Sequence, residues 1–303
     1  MNNNWTTDKI ESLEGKTILI TGGSSGIGLE AAYVLCSKGA EVIIAVRNLE
    51  KGNNAAKEVR GKHPGAKIEV MHIELSDLEN VKHFADSFAL KHKKLDILIN
   101  NAGVMTPPLK HTKQGFELQF GTNHLSHFAL TGLLLPLMAN IPGSRVVTIS
   151  SIAARGGKID FENLDAKRGY RAFKFYSQSK YSNLLFGKKL DSILKERGYQ
   201  TISLICHPGV TATNLTSRGS GKPSPGILSW GFRLVGQQVS MGALPTLFAA
   251  TNPALKGSEF IGPDGWDNWR GYPTVSCEID KIYKGADAEK LWKLSTEITG
   301  VTI

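Results

Sequence analysis

Short apolar runs rich in β-branched residues alternate with longer stretches of helical period along most of the chain. Thr17–Thr21, Glu41–Val46, Lys67–His72, Leu95–Asn100, Arg145–Ser150 and Thr201–His207 read as strands, with amphipathic stretches such as Gly28–Ser37 and Leu78–Leu90 between them. Strands that are apolar throughout, rather than on alternate residues, belong to a parallel sheet covered on both faces. Right-handed crossovers then predict an α/β fold: a Rossmann-type doubly wound parallel sheet of about seven strands, with ligands at the carboxyl ends of the strands. No repeat or composition break divides the chain, so residues 1–15 read as an N-terminal extension and 16–303 as one domain. The Gly/Ser/Pro cluster Thr216–Gly226 interrupts the pattern before the helical stretch Ser240–Thr251. A loop this long is usually functional, and the aromatic residues Trp230 and Phe232 suggest that residues 211–239 cover an apolar substrate.

With 303 residues, 41% hydrophobic and 21% charged, the chain can bury a sizeable core. No run approaches the ~18 apolar residues that cross a bilayer. The longest, Leu130 to Ile141, is broken by Gly132, Pro136 and Asn140. Met1 to Glu14 is polar and does not read as a signal peptide. Cys36, Cys206 and Cys277 are far apart and lack CxxC spacing, so neither a disulfide framework nor a zinc site is expected, and a cytoplasmic setting is. The net charge of +9 could serve nucleic acid, an anionic surface or an anionic cofactor. Its densest patch, Lys91-His92-Lys93-Lys94, ends a helix, where cations complement the dipole. No basic helix is interleaved with aromatic residues, so nucleic acid is not an expected partner.

The first strand runs into Thr21-Gly22-Gly23-Ser24-Ser25-Gly26-Ile27-Gly28 and then a helix. Glycine at 22, 26 and 28 allows a tight turn and close approach of the backbone to a pyrophosphate, with Ser24, Ser25 and Ile27 completing the cradle. The helix N-terminus offers unpaired N–H groups to the phosphates. The same residues satisfy G-x-S-x-G, the nucleophile elbow of α/β hydrolases, but such a fold places several strands before its elbow. At the end of the second strand stand Arg47 and Asn48 rather than a carboxylate. The planar fork of Arg47 suits a 2′-phosphate, which favours NADP(H) over NAD(H). Farther on, Tyr176 and Lys180 are four positions apart and share one helix face. An ammonium beside a phenol lowers its pKa towards neutrality. Ser150-Ser151 and Asn100-Asn101-Ala102-Gly103 each end a strand at the same sheet edge.

TGGSSGIG, NNAG, the Asn of GTNHLSHF, the Ser ending VVTISS, YSQSK and HPGVTAT occur in the order of the short-chain dehydrogenases/reductases, which the chain resembles over residues ~16 to ~270. The resemblance implies a catalytic tetrad of Asn123, Ser151, Tyr176 and Lys180. In it, Ser151 would bind the substrate oxygen, Tyr176 would exchange the proton, and Lys180 would tune the phenol and hold the nicotinamide ribose. Asn123 would interrupt its helix and hold a water linking Lys180 to solvent. It also implies cofactor contacts from Glu74 and Leu75 (Glu standing where the family usually has Asp), from Asn101, Ala102 and Gly103, and from Pro208, Gly209, Val210 and Thr213. A homodimer or tetramer is the implied assembly.

Tyr176 follows Ser151 by 25 positions, about twice the family's usual spacing, so an extended segment, Ile152–Tyr170, lies between them. That insertion, with AVRN and HPG, is similar to the branch of retinol dehydrogenases and protochlorophyllide reductases. Met105, Phe161, Trp230 and Phe232 are candidates to line the substrate pocket with Ser151. His124 and His127 lack a third ligand and read as packing residues rather than a metal site. Cys206 reads as a buried thiol. The expected activity is hydride transfer between NADP(H) and an alcohol/carbonyl pair of a lipophilic compound. The alternatives are a non-catalytic NADP(H)-binding module and a C=C reductase of the protochlorophyllide type.

Overall fold

The computed structural model describes residues 4–210, 237–277 and 279–303. Eight strands form one sheet: β1 (Thr17–Thr21), β2 (Glu41–Val46), β3 (Lys67–His72), β4 (Ile97–Asn100), β5 (Arg145–Ile149), β6 (Ile202–Cys206), β7 (Phe260–Pro263) and β8 (Pro273–Ser276). Their order is β3-β2-β1-β4-β5-β6-β7-β8. All pair in parallel except β8, which runs antiparallel to β7. The reversal of strand order lies between β1 and β4, where a doubly wound sheet opens its crevice.

The alternating residues of the central strands face two different cores, and both sets are apolar. Ile18, Ile20, Val42 and Ile44 pack beneath α1 (Gly26–Ser37) and α2 (Leu49–Lys62). Leu19, Ile43, Leu98 and Val146 pack on the other face, with α3 (Leu78–Lys91), α4 (Ser126–Leu134) and α5 (Ala172–Glu196). This is why no in–out alternation marks these strands in the sequence. A later helix, α6 (Val239–Thr251), joins the first face through Ala243, Leu247 and Ala250.

The expectation of about seven strands falls short at one edge. β7 and β8 are four residues each, carry Gly262, Pro263 and Pro273, and lack a β-branched run long enough to signal a strand. Pro273 opens the edge strand, where its missing N–H costs least.

A third cluster gathers Phe120, Leu164, Tyr181, Phe260 and Leu291 beneath the last helix, α7 (Gly285–Thr299). Trp292 of α7 meets Phe128 edge-on at 5.1 Å and stacks on Phe186 at 6.0 Å, locking α7 across α4 and α5. Trp292→Ala is therefore expected to lower unfolding free energy by about 2 kcal/mol, from lost aromatic burial. Urea titration measures it, and a change under about 0.5 kcal/mol would show that this contact contributes little. Among the described residues, no helix is long and apolar enough to cross a membrane.

Candidate active site

At the carboxyl end of β1 the chain turns back at Gly22, whose φ of +70° lies in the left-handed region. A Cβ there would come within 3.0 Å of the Ala102 Cα. At Gly28, a Cβ would come within 2.6 Å of both the Gly22 carbonyl oxygen and Asn101 Nδ2. The turn, the first turn of α1 and the end of β4 are thus packed backbone to backbone. Thr21 welds them: its Oγ1 accepts the N–H groups of Asn101 and Ala102, each at 3.0 Å, while Asn101 Nδ2 donates to the Thr21 carbonyl at 2.8 Å. Ser25 heads α1, is exposed, and its side chain makes no capping bond. Among the described residues the first N–H groups of the helix therefore have no side-chain acceptor, the condition in which a helix terminus takes an anion. Neither Thr21 nor Gly23, which faces Ile44 with no room for a Cβ, was singled out in the sequence.

Tyr176 and Lys180 lie in the first half of α5 and are 5% and 3% exposed. Lys180 Nζ donates to the Ile149 carbonyl at 3.1 Å, at the end of β5, and Ser150 Oγ donates to the Lys180 carbonyl at 2.7 Å. Ser151 Oγ accepts from Ala153 N at 3.2 Å, and its hydroxyl lies near enough to the Tyr176 phenol to favour the phenolate. Asn123 sits in a π-helical turn, Gly121–Leu125, that leads into α4. Its Oδ1 accepts from Val104 N at 2.8 Å, and its Nδ2 donates to the Val104 carbonyl and to Ser179 Oγ. A Cβ on Gly103 would stand 3.2 Å from Asn123 Oδ1 and 3.5 Å from Lys180 Nζ. The four residues of the implied tetrad thus converge at the ends of β4 and β5, beside the glycine turn.

Burial pulls the Lys180 ammonium down to about 8, with the Cys206 sulfur opposing weakly. The Tyr176 phenol is pushed above its ordinary value by burial, against the hydrogen bond from Ser151. This departs from the expectation of a lowered phenol: in the free protein burial is the larger influence on it, and the Lys180 Nζ donates to the Ile149 carbonyl instead. The Asn123 side chain, with its oxygen and amide hydrogens bonded to protein, fastens residue 104 and Ser179, and the π turn interrupts the helix at this residue as the resemblance implied.

A family model described as short chain dehydrogenase matches residues 16–222. The chain belongs to the short-chain dehydrogenase family. It is similar to retinol dehydrogenase 12 of Mus musculus, 37% identical over 292 residues covering 95% of this chain and 88% of that one. It is 40% identical to the chloroplastic short-chain dehydrogenase TIC 32 B of Brassica napus over 263 residues, covering 82% and 81%. A solved structure of an uncharacterized protein from Mycobacterium paratuberculosis superposes with a TM-score of 0.80 at 36% identity, covering 98% of each chain. Membership makes this chain an oxidoreductase of a family that uses nicotinamide dinucleotides, and the glycine turn, open helix terminus and Gly103 approach fit such a group.

The remaining predicted residues of this short-chain dehydrogenase are spread along the same edge, with exceptions. Arg47 is exposed just past β2, and none of the described residues is bonded to its guanidinium. Asn48 caps α2, its Oδ1 accepting from Lys51 N at 2.8 Å. Glu74 closes its own turn by accepting from Ser76 N and Oγ at 2.9 and 2.7 Å, and the Leu75 carbonyl takes the Ser126 hydroxyl. Val210 N donates to the Trp269 carbonyl, and Gln237 Nε2 to that of Pro208, which ties the Pro208–Gly209–Val210 segment to the β7–β8 connection. Met105 is half-buried beside Val104. Phe161 packs instead in the cluster beneath α7, with Lys290 Nζ 4.3 Å from its ring centre. Thr213, Trp230 and Phe232 lie outside the described residues, as does most of the 211–239 stretch.

Sequence reasoning missed two further neighbours. Arg155, in the inserted segment, reaches Asp267 at 2.7 Å and Asn268 at 2.6 Å. Phe173 is 61% exposed, and its ring lies 6.4 Å from that of Tyr176. An aromatic residue one turn before the YxxxK tyrosine is a signal that could have been read. Among the described residues, no group of three or more His, Cys, Asp or Glu could hold a metal.

Proposed function

We propose that this chain interconverts an alcohol and a carbonyl on a lipophilic compound, with NADP(H) as the redox partner. The observation that carries the reading is the convergence of the Tyr176 phenol, the Ser151 hydroxyl and the Lys180 ammonium beside a glycine turn built for a pyrophosphate. When bound, the nicotinamide supplies or takes the hydride. Ser151 holds the substrate oxygen by the hydroxyl that now meets the phenol. Tyr176 gives that oxygen its proton in reduction and removes it in oxidation. Lys180 sits one turn away, its charge held by the Ile149 carbonyl, and stabilises the phenolate that proton donation leaves. Asn123 and Ser179 fix the backbone around both.

Two exposed aromatic groups support an apolar substrate. Phe173 flanks Tyr176, and Trp266, 79% exposed, pairs edge-on with Trp269 at 5.1 Å in the loop that Arg155 grips near Ser151. The retinol dehydrogenases among its relatives carry names that denote alcohol oxidation, in line with this chemistry. The reading is tested by following absorbance of the reduced nicotinamide with a panel of aldehydes, ketones and alcohols. A new alcohol among the products supports it, whereas a saturated carbon–carbon bond, or binding without turnover on any compound, counts against it.

The cofactor preference rests on Arg47. Its guanidinium just past β2, bonded to none of the described residues and with no carboxylate beside it in sequence, matches a 2′-phosphate. Arg47→Ala is expected to raise KM for NADPH by about 10- to 100-fold, the loss of one charge-assisted contact, with little change in KM for NADH. Equal changes for both cofactors would remove Arg47 from the role.

A further inference from the structure

Two histidines flank the entry to α4, and both are buried. His124 is explained by packing: its Nε2 meets Ser295 Oγ at 2.9 Å, and its ring lies among Phe120, Phe128 and Phe186. His127 is placed differently. Its Nδ1 lies 3.0 Å from the Asn123 carbonyl oxygen, and its Nε2 lies 2.9 Å from Thr21 Oγ1. One ring therefore spans from the π turn that carries Asn123 to the strand end that opens the glycine turn.

The acceptors decide which nitrogen carries the hydrogen. A carbonyl can only accept, so Nδ1 is the N–H and Nε2 is the lone pair. Thr21 must then donate its hydroxyl hydrogen to Nε2, since its other candidate acceptor, the Ile99 carbonyl, is 3.4 Å away. That leaves the Thr21 oxygen with its two lone pairs for the two N–H groups it accepts, those of Asn101 and Ala102. The hydroxyl is fully used only while His127 takes its hydrogen. Burial, with the Lys180 charge adding to it, holds the ring far below its ordinary pKa, at about 4, so it stays neutral at physiological pH. His127 has no exposure to speak of and contacts neither Tyr176 nor Ser151 by any bond.

We propose that His127 is a positioning residue for the reaction: as the neutral Nδ1–H tautomer it clamps the Asn123 carbonyl on one side and, through Thr21, the Asn101–Ala102 backbone on the other, which sets the gap between the glycine turn and Lys180. Gly103 lies in that gap, directly after the segment Thr21 holds and in reach of both Asn123 Oδ1 and Lys180 Nζ. The consequence for turnover rests on the oxidoreductase reading above; the tautomer and the clamp do not.

The two arms can be cut separately. On a helix, an asparagine amide reaches roughly where Nδ1 stands and a glutamine amide roughly where Nε2 stands. His127→Asn keeps a donor for the Asn123 carbonyl but releases Thr21, and is expected to act chiefly on binding, raising Kd for NADPH by about tenfold. His127→Gln keeps an acceptor for Thr21 but frees the Asn123 carbonyl, and is expected to act chiefly on kcat, lowering it by about tenfold. Thr21→Val should raise Kd as His127→Asn does, and the double variant should add little to either. A merely structural histidine would move Kd and kcat together in both variants, in step with the melting temperature, and that result overturns the proposal. Long-range nitrogen–proton spectra of the unliganded parent give a reading that does not need turnover. The Nδ1–H tautomer at neutral pH supports the clamp, and an Nε2–H or doubly protonated ring overturns it. Failure of the parent to bind NADPH would instead strike the proposed function, leaving the spectra to decide on His127.

Discussion

Tyr176→Phe is expected to lower carbonyl reduction by at least about 10³-fold while NADPH affinity changes by no more than about twofold. The residue is 5% exposed and its ring packs the same way without its hydroxyl, so the fold loses only the polar environment that Ser151 gives the phenol. The phenol also fixes the pH dependence. Burial raises its pKa, so it holds its proton throughout the neutral range. Reduction, which needs that proton, should be fastest near and below neutrality and fall as pH rises. Alcohol oxidation, which needs the proton gone, should rise over the same interval. Initial rates in both directions between pH 6 and 10 measure the crossing. A phenylalanine variant retaining a tenth of parental turnover would assign the proton to another group.

The central strands were legible because physics marks them twice. Ile18 and Leu19 point to opposite cores, so a whole run of β1 must be apolar, and the flanking glycine turn punctuates its end. β7 and β8 carry neither mark. They are short, hold proline and glycine, and are defined by their neighbours rather than their own residues. At the site, the four-residue spacing of Tyr176 and Lys180 was enough to place both on one face of α5. It could not show that Lys180 Nζ reaches the Ile149 carbonyl, 31 positions earlier, or how deeply the pair is buried. The direction of the phenol's shift was misread for that reason: a neighbouring charge is visible in sequence, desolvation is not. The resemblance implied that Asn123 interrupts its helix, but the pattern of GTNHL does not give the turn's form; the Asn123 side chain closes on Val104, 19 positions away. Phe161 shows the limit for apolar residues generally. Its type predicts burial, but only the fold decides that it lies beneath α7 rather than at the catalytic edge.

Lys180→Met is expected to abolish turnover and yet stabilise the folded protein at neutral pH. The ammonium is almost fully buried, and its pKa falls to about 8 in the folded chain from 10.5 in the unfolded one. Between those values the unfolded chain binds more protons than the folded one, so stability rises with pH across that window. Below about 8 the buried charge exacts its full penalty; above 10.5 the penalty is gone. A shift of this size corresponds to about 3 kcal/mol, which the methionine removes at pH 7. Methionine fits because it is unbranched and similar in length, and it strands no acceptor: the Ile149 carbonyl still receives Asn183 Nδ2 at 3.0 Å. The variant should therefore exceed the parent in urea unfolding at pH 7 and lose that advantage by about pH 10.5. The same substitution takes away the charge that supports the Tyr176 phenolate, so turnover should drop by about 10³-fold. A cation kept at such a cost in stability is what a site maintained for reactivity requires. A methionine variant that unfolds more readily than the parent at pH 7 would show instead that Lys180 is held there by favourable contacts of its own.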